Sequence, residues 1–543
     1  MRRTVPALFL ACLLAACGGD APRGLAPVAP DSADRIAAHV QFLADDLLEG
    51  RAAGSRGFDL AALYVASRFR ALGLEPAGED GGWYQTVPML IGNRLPDGAR
   101  LAIERDGRRH EFAFQQDFLP GVDFDRAEAG VTAPLVFVGQ AVHAPEFEHD
   151  DFAGVELAGK IAVYLHGAPA RFPDTARAFH SSAREKARAV AERGAVGAIL
   201  LGDPEREARS PWARNARNWV LPAMRLRDAD GRAVDTFPQL QVTAALAAAA
   251  AETLFAGAPQ SAEEVFGRLQ AGELSAFDLP GTATLASRSH VQPVESRNVV
   301  ARLPGADPAL ADEHVVFSAH LDHVGLGAPV DGDRIYNGAL DNALGTAILL
   351  EAAELLARER ARPKRSLLFV AVTAEEKGLL GAEHFARYPT VAGPLVANLN
   401  IDMPVILFPQ DDAIPIGIEH SSLRAHVEAA AAELGMTLSA DPMPEEVVFI
   451  RSDQYAFVRQ GIPALYLDGG IRSTDPAIDG AAVVAEFLRR HYHQPGDDLS
   501  LPIHWPSAAR LARLAASTGW RIADDPQRPR WNEGDFFGER FAR

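Results

Sequence analysis

The second half of the chain alternates short apolar runs with amphipathic stretches, and this pattern limits the possible folds more than any other feature. The runs are "HVVFSAH" (314–320), "SLLFVAVTA" (366–374), "VANLNIDMP" (396–404) and "IPALYLDGG" (462–470). Each is apolar almost throughout, as a strand covered on both faces requires. Helix-like stretches at 342–361 and 422–435 lie between them. The pattern predicts an α/β class fold, with a mostly parallel central sheet flanked by helices, over residues 279–525. In such sheets ligands collect beyond the carboxyl ends of the strands.

The residues at those ends carry the chemistry. His320, Asp322 and His323 close the first run, and Asp341 stands just before the helical stretch that follows. Glu375 and Glu376 end the second run and Asp402 the third, while His491, His493 and Asp497 share a later loop. Adjacent acids such as Glu375 and Glu376 ordinarily mark a solvated corner or a helix start. Here imidazoles and carboxylates reach one sheet edge repeatedly. Buried carboxylates are costly unless something positive offsets them, and a metal does so. Histidine nitrogen with carboxylate oxygen suits zinc, and also manganese or cobalt. Two histidines with three or more carboxylates exceed one tetrahedral site and suit two ions sharing a bridging carboxylate.

Upstream, residues 31–129 begin helically with "DSADRIAAHVQFLADDLLEG", turn at "RAAGSRG" (51–57) and continue as the amphipathic "FDLAALYVASRFRALGL". "LAIERDGRRHEFAF" reads as a hairpin about Asp106-Gly107. Residues 130–278 form a smaller α/β unit, seen in "APLVFVGQAV", "GKIAVYLHG" and "SSAREKARAVAERGAVGAILLGD". "ALAAAAAETLFAG" reads as a plain helix, and 526–543 as a C-terminal tail. His143, His166 and His314 read as ordinary surface or core histidines, and His491 as a helix-end cation.

The first 17 residues, "MRRTVPALFLACLLAAC", pair two arginines with an apolar run too short to span a membrane, which reads as a secretory signal. Leu14 to Cys17 resembles a bacterial lipobox, with Cys17 the lipidated residue, 18–30 a tether, and Gly18 favouring the outer membrane. The alternative is an ordinary signal and a secreted protein. The cysteines are Cys12 and Cys17 alone, so the folded part has no disulfide. The net charge is −19 with no long basic block, which excludes nucleic acid as a partner.

The motifs His-x-Asp, Asp-Asn-Ala, Glu-Glu-x-Gly-Leu-x-Gly, Asn-x-Asp-Met and Tyr-His-x-Pro-x-Asp occur in this order. Together they resemble family 28 of the metallopeptidases, the co-catalytic zinc aminopeptidases related to glutamate carboxypeptidase and the transferrin receptor ectodomain. Residues 130–278 resemble an inserted protease-associated (PA) domain. The resemblance implies two zinc ions per chain and a peptide substrate. It assigns His320 and Asp402 to one ion, Glu376 and His493 to the other, and Asp341 to both. Asp322 would orient His320, Asp497 would orient His493, and Glu375 would be the general base. His323 would be a ligand only in place of His320. A non-proline cis peptide is implied at Asp341-Asn342. Leu340, Leu344 and Gln454 depart from common family residues. The stretch 450–457 is expected to line the substrate pocket, with Gln454, Tyr455 and Arg451 near substrate. Arg451 would meet a substrate carboxylate or make an ion pair. The implied activity is release of N-terminal residues from peptides. Carboxypeptidase or dipeptidase action, a glutaminyl cyclase-like acyl transfer and a non-catalytic binding ectodomain are the alternatives.

Overall fold

A computed structural model describes residues 31–542. The signal, tether and Cys17 lie outside the described residues. The strand His314–His320 is central and runs parallel to Ser366–Val372 on one side and Leu395–Asn400 on the other. Ala464–Gly469 continues the parallel set beside Leu395–Asn400. Asp412–Ile416 runs antiparallel to Ala464–Gly469, and Phe277–Leu303 antiparallel to Ser366–Val372. Because the central strands are parallel, their carboxyl ends open on one edge. The register pairs His320 with Val372 and Ser318 with Asn400, so the residues that follow emerge side by side.

Every residue of His314–His320 and Ser366–Val372 is buried, which explains the unbroken apolar runs. Val315, Phe317 and Ala319 face one core with the helices Ser32–Leu43, Arg56–Ala71, Gly345–Arg358 and Trp505–Asp524. Val316, Leu368 and Val370 face the other, with Ala382, Phe385 and Phe457. The first helix is tied down by charge as well: Arg35 donates to Glu351 at 2.6 Å, and Ser32 Oγ donates to the same carboxylate at 2.6 Å.

The smaller α/β unit joins the same sheet. Phe277–Leu303 pairs antiparallel with both Tyr84–Arg105 and Glu128–Phe137. Ile161–Leu165, Gly197–Leu201 and Val242–Leu246 then follow in parallel order over a separate apolar core. The boundary expected between 278 and 279 therefore falls inside one strand, because that strand serves both units. The hairpin turns at Asp106 and Gly107, with φ of 48° and 71°.

Two readings are corrected. Ala245 and Leu246 end a strand, and the alanine run then makes a 3-10 turn at Ala248–Ala250 before the helix Ala251–Phe255, since Leu246 is drawn into the sheet core. The C-terminal tail is packed on the domain through its described residues, because the helix Phe536–Phe541 inserts the fully buried Phe537 against Phe449 and Tyr455. Among the described residues no helix is long and apolar enough to cross a membrane.

Candidate metal centre

The open edge gathers His320, His323, Asp341, Glu376, Asp402 and His493. His320 ends its strand, and its Nε2 lies 2.8 Å from Asp402 Oδ1 and 3.2 Å from Asp341 Oδ1. On the other side His493 Nε2 lies 3.2 Å from Asp341 Oδ2 and 3.0 Å from Glu376 Oε2. Asp341 thus turns one oxygen to each group. It sits in a distorted turn, Ala339–Leu344, at the start of a buried helix, and the Asp341-Asn342 peptide is cis. Ala374 has a left-handed φ of 55°, which swings the chain out of its strand. That turn carries the Glu376 carboxylate to two imidazoles.

His323 is a correction to the either–or reading. It is fully buried, and its Nδ1 stands 2.6 Å from Glu376 Oε1 and 3.9 Å from Asp341 Oδ2. It therefore joins the cluster alongside His320, on the opposite side of Asp341. The loop after His320 folds back under Asp341, a path that sequence spacing does not show.

The donor set fits bound cations. His320, Asp341 and Asp402 form one group able to hold an ion, and His323, Asp341 and Glu376 form another. His323 Nε2 and Asp322 Oδ2 are buried without a hydrogen-bond partner, and His323 Nδ1 and Glu376 Oε1 face each other without hydrogen-bond geometry. Polar atoms left this way are costly, and a cation among them removes the cost. Burial opposes charge on both His320 and His493. The surrounding carboxylates win, holding His320 well above its ordinary value and raising His493 to about 10. Burial alone would raise Glu376, but His493 and His323 hold it well below the carboxylate range. Glu375 goes the other way: burial, with Asp402, Asp453 and Glu376 nearby, pushes it well above.

The supporting contacts differ from several expectations. The Nδ1–H of His320 donates to the backbone carbonyl of Asp322 at 3.0 Å, so the main chain sets the tautomer. The Asp322 carboxylate instead accepts from the Glu375 backbone N–H at 3.1 Å. Asp497 does not reach His493. Its oxygens accept from the N–H groups of Leu340 and Asp341 at 2.8 and 3.0 Å, steadying the turn that carries Asp341. Gln454 braces Asn400 and the Phe449 carbonyl, and Tyr455 packs with Phe537 and Phe541; neither belongs to the cluster. Tyr455 and Val458 of their helix share an apolar cluster with Phe537. Arg451 is ion-paired to Glu446 at 3.1 Å. Leu340 and Leu344 are fully buried in the main core.

Residues not singled out from the sequence also matter. Ser452 Oγ donates to Asp402 Oδ2 at 2.6 Å, and Thr346 Oγ1 donates to the His320 carbonyl at 2.9 Å. Asp453 is fully buried, and neither of its carboxylate oxygens has a hydrogen-bond partner. A Ser-Asp pair at the start of a short helix was the available signal, but its partners come from distant strands.

Comparison with known proteins agrees with this geometry. Residues 298–519 match the model for peptidase family M28, and residues 131–234 match the model for the PA domain. A "Probable zinc metalloprotease" of Pyrenophora teres f. teres is 26% identical over 50% of this chain and 57% of its own length. A "Probable leucine aminopeptidase 2" of Aspergillus fumigatus is 27% identical over 40% of this chain and 43% of its own. The chain thus spans about half the length of these curated relatives. The solved aminopeptidase from Aneurinibacillus sp. strain AM-1 shares the fold, with TM-score 0.52 and 20% identity over 92% of this chain and 95% of that one. All six gathered side chains lie within 298–519, the stretch that matches peptidase family M28, and the stretch that matches the PA domain, 131–234, precedes it in the chain.

Proposed function

We propose that this protein is a zinc aminopeptidase with two metal ions, acting on the N-terminal residues of peptides. One observation carries the reading: Asp341 turns one oxygen toward His320 and Asp402 and the other toward His493, Glu376 and His323. His320, Asp402 and Asp341 would hold one ion, and Glu376, His493 and Asp341 the other, with His323 beside the second. Zinc bound there supplies Lewis acidity toward a carbonyl and a water molecule acidic enough to deprotonate near neutral pH. Manganese or cobalt suits the same donors.

Glu375 is the general base in this reading. Its backbone is pinned by Asp322, which leaves its carboxyl group the task of moving a proton. It would take a proton from water and deliver it to the leaving amine, a role worth about 10²–10⁴ in rate. The Glu375 and Glu376 pair therefore divides its work: one side chain faces the imidazoles and the other handles the proton. In the carboxypeptidase alternative Arg451 would receive a terminal carboxylate, but Glu446 already engages it. The binding-ectodomain reading is disfavoured by the retention of every implied donor.

The resemblance of Leu14–Cys17 to a lipobox supports export and anchoring at the cell envelope through Cys17, facing the periplasm. The test of activity is hydrolysis of aminoacyl-p-nitroanilides and free dipeptides, with and without N-acetylation, plus a chelator control. Chelator-sensitive cleavage abolished by acetylation is expected. Cleavage that survives acetylation and needs a free carboxylate would move the reading to a carboxypeptidase.

A further inference from the structure

Arg51 lies far upstream of the residues matched to family M28, yet it is 1% exposed and sits beneath the donor cluster. Among the described residues its guanidinium forms no ion pair with a carboxylate. It donates instead to backbone carbonyls: Leu321 at 2.9 Å, Asn337 at 2.6 Å, Gly338 at 3.0 Å, and Leu43 at the end of the first helix. Its own carbonyl accepts the His323 N–H at 3.2 Å. One side chain thus grips the loop carrying His323 and the loop leading to Asp341. A buried guanidinium is expensive unless its donors are used, and here carbonyls take four of its five N–H groups.

The backbone around it is specialised for this placement. Glu49, Gly50 and Arg51 are consecutive left-handed residues, with φ of 49°, 68° and 52°. Such conformations are costly for residues other than glycine and persist where the surroundings over-determine them. A Cβ at Gly50 would lie 2.3 Å from the Tyr336 carbonyl oxygen, so only glycine fits. Burial pushes the Arg51 guanidinium down to about 10, while Asp497, Asp322, Asp341 and Glu376 draw it upward.

We infer that Arg51 is a positioning residue of the metal centre: it clasps the two loops that carry His323 and Asp341, and so sets the affinity of the ion beside Glu376 and His493. The inference rests on the two-metal reading above. It predicts an asymmetry. His320 ends a strand held by ladder bonds on both sides, and Asp402 follows another such strand. Asp341, which both ions would share, keeps a second anchor, because Asp497 accepts from its N–H and that of Leu340. His323 lies in a loop with no ladder, so its order depends on the clasp.

The test is stepwise zinc titration of the metal-free full chain, by calorimetry or against a chromophoric chelator, with thermal unfolding in parallel. Arg51→Met is expected to weaken one of the two binding steps at least tenfold and leave the other within about threefold. Arg51→Lys, which keeps a charge and donors, is expected to recover part of the loss. If Arg51→Met does not fold, Asn337→Ala is titrated instead. Its side chain ties the same loop to Ala44 O at 3.0 Å and Asp46 Oδ1 at 2.8 Å. A variant with a lower Tm but two unchanged zinc affinities would reduce Arg51 to a purely structural role and overturn the inference. Tight zinc in the wild type with unchanged steps in every variant would overturn this inference alone. A wild type that binds no zinc would overturn the two-metal reading and this inference with it.

Discussion

The candidate metal centre and the PA unit both place histidine beside aspartate on α/β frameworks, but the two environments are opposite. In the PA unit, His143 meets Asp150 at 3.2 Å with both side chains 43% exposed. His149 meets the buried Asp151 at 3.0 Å, but one Asp151 oxygen also accepts from the N–H groups of Gln140 and Val142, each at 3.0 Å. That carboxylate anchors a loop. In the metal centre three imidazoles meet three carboxylates, Asp322, Asp453 and Asp497 are buried as well, and several buried polar atoms have no hydrogen-bond partner. The histidines respond accordingly. Burial drives His166 down to about 3 and His180 to about 4, whereas carboxylates raise His493 to about 10. A pairing of residue types is therefore no guide to a site. Unbalanced negative charge converging in a dry place is.

This contrast can be broken at several points. The largest effect is expected from Glu375→Gln, which should keep its zinc by elemental analysis and lose about 10²–10⁴ in kcat. Undiminished turnover in a folded variant would remove Glu375 as the base. Glu376→Ala should lose zinc outright, and a full complement of metal would count against its place among the donors.

A smaller effect is expected from Ser452→Ala, which frees Asp402 to rotate. Loss of such an orienting contact typically costs about 10–100-fold in metal affinity. Competition with a chelator measures it, and the wild-type affinity would show that Ser452 only fills space.

Next comes acid stability. The folded pKa of His166 lies below the ordinary value near 6.5, so the unfolded chain binds a proton that the folded chain refuses. Its contribution is fully present above about 6.5 and falls away as pH drops toward about 3. His166→Gln should flatten that decline in denaturant titrations across the window. An unchanged slope would mean that His166 is not a source of acid sensitivity. The smallest effect is expected from His143→Ala: about 0–1 kcal/mol in stability and no change in zinc content. A drop in bound zinc would erase the distinction between the two regions.

What the sequence determined by itself was local and periodic. Short apolar runs without alternation, set between helical stretches, read as strands buried on both faces, and the carboxyl ends of parallel strands open at one edge. His320, Asp341, Glu376 and Asp402 could be placed there because each stands within a few residues of a strand or helix end. His493 was legible through its motif. The tertiary structure decided what depends on loops meeting from distant segments. It brought His323 beside Glu376, and it set Asp497 on the Asp341 backbone rather than on His493. It supplied Ser452 to Asp402 and Arg51 to two loops, turned Tyr455 toward the C-terminal helix, and packed Phe536–Phe541 against the domain. The physical reason is that strand direction follows from nearest-neighbour patterning, whereas a loop's path is set by which distant donors satisfy its carbonyls and carboxylates.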